Sequence, residues 1–264
     1  MITGIGRAGW RTGLRGGLLA VAGLLLGSCA AGMGGLHAGQ VVSERVGFAG
    51  VVFPLPPGPW RVVYAGLEQQ TKEGGAVGDA DRGVVLASER AGHAVALVYL
   101  HVVDLIGRGY WHRPPICTST TALWVASRGN QGAANQNSAR YDCAWIYALW
   151  YPGGKPASPQ AVDIGVFRAS RGRPGWLAHR YIEAGVGMSV NAYRIARVLY
   201  IVDPAALGRP GETRGGYWWR GGMSAGQQAF VAGLRSWIEA SWPAIRRGIR
   251  GGENVGPLGP LAPL

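Results

Sequence analysis

The sequence predicts an α+β fold: an antiparallel sheet packed by two helices, in a single domain behind an export signal. Three observations carry this. β-branched and aromatic segments recur between residues 45 and 202, separated by glycine, proline and polar turns. Two helix openings follow them in type, one at Ser158-Pro159 and one at Ser224. Ahead of both, an arginine-bearing start runs into an apolar stretch and then small residues. The boundaries expected are 1–28 for the signal, 29–43 for a flexible tether, 44–250 for the domain and 251–264 for a disordered glycine/proline tail.

Arg7, Arg11 and Arg15 supply the positive n-region, and Leu18–Leu26 the apolar core. That core is about half the length a helix needs to cross a bilayer. Leu26-Gly27-Ser28-Cys29 resembles the bacterial lipobox, and the resemblance implies lipidation of Cys29 as the mature N-terminus. An ordinary cleaved signal and an uncleaved anchor over the charge-free stretch from Gly16 to Leu36 remain open beside it. Ala30 after the cysteine implies, by the same resemblance, the outer membrane, the alternatives being the periplasm or an inner-membrane anchor. The formal G-x-G-x-x-G of residues 4–9 has no strand before it and carries no dinucleotide site.

Three cysteines are present; with Cys29 lipidated or removed, Cys117 and Cys143 form an even pair that an oxidising compartment lets close. Closing that loop contributes about 3–4 kcal/mol in the chain-entropy model. Neither cysteine has a second cysteine or histidine at metal-ligand spacing, so no metal is expected. Loss of the leader's three arginines from 26 basic residues leaves 23 against 14 acids, a net charge of +9. The roughly 235 remaining residues suffice for one well-cored domain. The charge favours acidic envelope polymers, anionic lipid or an acidic protein partner. The RGG triplets at 15–17, 214–216, 220–222 and 250–252 read as accidents of a glycine-rich exported chain, so no nucleic acid is expected.

Along the domain, "RVGFAGVVF" and "WRVVYAG" read as strands around the proline-rich "PLPPGPW". Leu67–Arg82 reads as a loop. "GVVLASER", the turn "AGH" and "AVALVYLHVVDL" form a hairpin, its second strand apolar on both faces and therefore central. "TALWVAS" and "CAWIYALWY" follow, then a helix over 158–171, then a strand pair in "WLAHRYIEAG" and "NAYRIARVLYIVD". In the last helix Val231, Leu234, Ile238, Ile245 and Ile249 share one face, flanked by Phe230, Trp237 and Trp242. Pro243 predicts a kink or break there. "FPLPPGPW" early in the domain, paired with this tryptophan-bearing helix near the end, resembles a pattern in uncharacterised exported proteobacterial proteins. The resemblance implies export and a single domain, and no activity.

Candidate chemistry is sparse. Gly222-Met223-Ser224-Ala225-Gly226 matches a nucleophile elbow, but no strand precedes it and no histidine follows His179, so Ser224 reads as a helix cap. The acidic loop "DADRG" fails the calcium-loop pattern at Gly83 and Arg90. His101 and Asp104 lie three apart on a strand, hence on opposite faces; with His112 they would form a site only if the strand ended early. Trp218 and Trp219, adjacent on an extended segment, face apart, which leaves one exposed. With Tyr217 and Arg220 they are the candidate ligand-contact residues. The leading expectation is a non-enzymatic, lipid-anchored envelope protein without cofactor or catalytic residues. A glycan or small-ligand binder is second and a His/Asp enzyme third.

Overall fold

The computed structural model describes residues 35–70, 79–104, 115–128, 142–150, 180–191, 193–208, 221–252 and 254–261. Strands β1 (Val41–Val42), β4 (Trp60–Gln70), β5 (Asp79–Arg90), β6 (His93–Asp104), β7 (Trp124–Ser127), β8 (Asp142–Trp150), β9 (Arg180–Asn191) and β10 (Arg194–Val202) make one antiparallel sheet. Its spatial order is β1-β4-β5-β6-β10-β9-β8-β7. A separate hairpin, β2 (Arg45–Phe48) with β3 (Val51–Pro54), and one long helix, α1 (Ala225–Ile249), lie apart from it.

The sheet dominates, and α1 is the one α-helix among the described residues. The helix expected over 158–171 lies outside them. The two ends of the expected loop Leu67–Arg82 are strand, because β4 runs on to Gln70 and β5 starts at Asp79, and residues 71–78 lie outside the described residues. Polar residues are tolerated there because Leu67 to Gln70 pair in register with Arg82 to Asp79, which satisfies the backbone.

β6 is central, as its two apolar faces require. Ala96, Val98, Leu100 and Val102 face one core, shared with α1 and the β2–β3 hairpin. Leu97, Tyr99 and Val103 face a second core with Val85, Leu199, Trp145 and the two cysteines. The first core is built by α1, whose Phe230, Leu234, Trp237, Ile238, Trp242, Ile245 and Ile249 are all buried. Ser224 caps α1 by a reciprocal pair: its Oγ accepts from Gln227 N–H, and Gln227 Oε1 accepts from Ser224 N–H. The helix continues through Pro243, held on both sides of it by buried Trp242 and Ile245. It closes at Gly251 and Gly252, whose N–H groups donate to Gly248 O and Arg247 O in the Schellman pattern.

Residues 254–261 are not the disordered tail expected of them. Val255, Leu258 and Leu261 are buried, Leu258 N–H donates to Leu55 O at 3.0 Å, and Trp237 Nε1 donates to Gly259 O at 3.2 Å. The segment is a strap over α1 and the proline-rich stretch. Its apolar residues recur every third position, the period of a polyproline II turn, which places them on one face without helix or strand. No helix among the described residues is long and apolar enough to cross a membrane.

Candidate functional site

The sheet face away from α1 carries the buried polar chemistry. β5 and β6 begin as a tight hairpin, with Arg90 opposite His93 and Glu89 opposite Ala94, and then Ser88 opposite Ala96. Val95 is the extra residue of a β-bulge. Without it Arg82 would stand opposite His101, and Asp81 would point to the α1 side. With it His101 faces Gly83, and Asp81 sits diagonally on the same face.

The Asp81 carboxylate accepts from His101 Nε2, and both residues are buried. Tyr99 stacks on the imidazole, with ring centroids 5.4 Å apart. The carboxylate takes Nε2 as its donor and orients the ring with Nδ1 turned away from it. Nδ1 is buried and makes no hydrogen bond among the described residues. At the level of His101 the sheet reads Gly66, Gly83, His101, Arg197, Gly187, Cys143 across six strands. Three of those six positions are glycine and only His101 and Arg197 carry a side chain longer than cysteine's, so histidine and arginine stand between glycines.

One level along, the Trp145 indole lies over Gly185, where a Cβ would come within 2.3 Å of the ring. Its Nε1 donates to the buried Glu183 carboxylate. Burial pushes the Tyr181 phenol well up, helped by the Asp203 carboxylate. Cys117 and Cys143 stand at disulfide distance, Cα to Cα 5.8 Å, and tie the 3-10 turn Pro115–Thr118 to the start of β8 on this face.

Two polar groups lie on the α1 side. Asp104 takes a bidentate Arg194 (2.5 and 3.0 Å) and Arg82 (2.5 Å). Burial alone would raise its pKa; hydrogen bonds from the two arginines outweigh that and hold it below the usual carboxylate value. Asp142 Oδ1 accepts from Trp242 Nε1 at 2.9 Å, and Arg246 Nε lies 2.6 Å from Oδ2. Here burial prevails over the Trp242 hydrogen bond and the nearby arginines, and raises the carboxyl.

His101 therefore meets Asp81 and not Asp104, which faces the other way as their spacing requires. His112, Cys29, Tyr217, Trp218, Trp219 and Arg220 lie outside the described residues. Ser224 serves α1 as its cap. Asp81 belongs to a strand rather than to a solvated acidic loop. Among the described residues no three His, Cys, Asp or Glu side chains gather so as to hold a metal ion. Reading the sequence alone overlooked Glu183, although a lone acid within the apolar alternation of "YIEAGV" was a usable signal. Comparison of the chain with protein-family models, curated proteins and solved structures finds no match.

Proposed function

We propose that this is an exported cell-envelope protein, lipid-anchored through Cys29, that acts by contact with envelope components or a protein partner rather than by turnover. The observation that supports it is the Cys117–Cys143 pair at disulfide distance, since such a bond persists in an oxidising compartment. The lipobox-like stretch adds the anchor, and Ala30 the outer membrane. Tyr217, Trp218, Trp219 and Arg220 are the proposed contact residues.

Fractionation with intact-mass analysis tests this. The wild-type chain is expected in the membrane fraction, its N-terminus a diacylglyceryl Cys29. Cys29→Ala is expected in the soluble periplasm or as uncleaved precursor. An unmodified N-terminus downstream of Cys29 makes the protein an ordinary secreted one. A full chain in the membrane makes Gly16–Leu36 an anchor, and a cytosolic chain with free thiols removes the reading altogether.

One observation favours a second reading, a small-ligand binder on the distal face: the buried Nδ1 of His101, which makes no hydrogen bond among the described residues. A ligand with a polar group that reaches Nδ1 would satisfy it. In that case His101→Gln abolishes ligand-dependent thermal stabilisation while the apo protein stays folded.

A further inference from the structure

We propose that the C-terminal end of α1, with the end of β7, is a docking surface for the phosphate headgroups of an anionic bilayer. The inference rests on the envelope reading above and names the surface that would meet the membrane.

Four guanidinium groups gather around one carboxylate. Arg246 and Arg247 occupy the last turn of α1, Arg250 is its C-cap, and Arg128 follows β7 directly. Asp142 organises them from below. Its side chain is buried, its Oδ2 pairs with Arg246, and its backbone O accepts from Arg128 N–H at 2.7 Å. The Arg128 guanidinium lies 4.7 Å over the Trp242 ring, which itself donates to Asp142. Arg250 stands within electrostatic reach of the same carboxylate.

The charges do not cancel. One buried carboxylate faces four arginines, and Arg128, Arg247 and Arg250 are exposed. Arg247 and Arg250 form no ion pair among the described residues. The backbone N–H groups of Arg250, Gly251 and Gly252 already close the carbonyls of Arg246, Gly248 and Arg247 at the helix's negative end. The result is a patch of guanidinium forks, partly held in place by Asp142 and Trp242. Phosphate oxygens match that geometry.

The apolar face of α1 is buried in the domain, so the helix has nothing to insert into the acyl region. Contact is therefore with headgroups, and it is electrostatic. A chain tethered by lipid is already held near such a surface, where each arginine is worth a factor of about 5 in affinity.

The test is co-sedimentation of the processed, soluble chain carrying Cys29→Ala, so that neither lipid nor leader contributes, with phosphatidylcholine vesicles that do or do not contain phosphatidylglycerol. Tighter binding to phosphatidylglycerol vesicles is expected, lost at high salt. Arg247→Gln with Arg250→Gln should weaken that binding about 25-fold. Arg61→Gln, on β4 near the opposite edge of the sheet, should leave it unchanged. Circular dichroism checks that the variants fold, which their exposure predicts. Equal binding by the double variant and the parent overturns the inference. So does tight binding of inorganic phosphate alone at the same arginines, or a stronger arginine-dependent affinity for a soluble acidic polysaccharide. Fractionation separates the two readings. Membrane localisation of the wild type with arginine-independent vesicle binding sinks this surface alone, while a cytosolic wild type sinks the envelope reading.

Discussion

At Gly248 the backbone of α1 comes so close to the β2–β3 hairpin that a Cβ would stand 2.1 Å from Val52 O. Backbone cannot move aside as a side chain does. Gly248→Ala should therefore cost about 1–3 kcal/mol, read as a lowered urea midpoint at unchanged slope. Asp104 gives a pH signature. Its folded pKa lies below the unfolded value, so its contribution is fully present above the unfolded carboxylate range and is lost as pH falls through the folded pKa. Asp104→Asn should destabilise by about 1 kcal/mol at neutral pH, a modest figure because the triad is partly exposed. The gap to wild type should narrow in urea titrations as pH falls through the lowered folded pKa, where wild type comes to carry the protonated acid too. Asp142 works in the opposite sense. Its raised pKa makes the ionised form a cost of folding that acid relieves. The partnership of Asp81 with His101 was not legible in the sequence. It depends on whether one residue is passed over between Ala94 and Ala96, and nothing in a run of small apolar residues says so.

Elements were more legible than partnerships. The alternation of β6 and the β-branched runs of β5 and β10 fix strands because side chains of period two meet two cores. Ser224 and Gln227 announce the start of α1 through a three-residue spacing that only a capping box uses. Two tight hairpins turn on Ala-Gly, at 49–50 and 91–92, with positive φ at each residue. That is the type I′ conformation, which alanine enters at a cost and asparagine enters readily. Ala91 is exposed, so Ala91→Asn should raise stability by about 0.5–1 kcal/mol, measured as an increased thermal midpoint. The strap over 254–261 escaped notice for a different reason. A search for periods of two and 3.6 passes over a period of three, and a glycine/proline background suggests disorder. The apolar residues at 255, 258 and 261 were the visible sign.

For the whole molecule, the cysteine pair closes a sequence separation of 26 residues. Reduction, or Cys117→Ser with Cys143→Ser, should lower the unfolding free energy by about 3–4 kcal/mol. Comparing urea midpoints of oxidised and reduced protein checks this, and no change would mean that the thiols do not bridge in solution. The strap has a consequence of another kind, for the order in which the chain is made. Leu55 is made long before Leu258, yet Leu258 N–H donates to the Leu55 carbonyl. Until that late segment emerges, the indole of Trp237 lacks the Gly259 carbonyl to which it donates. A chain without that segment can pair β4, β5 and β6, but it cannot finish the cover over its own beginning. Completion waits for residues 255–261, so a chain truncated before Val255 would leave that cover open to proteases.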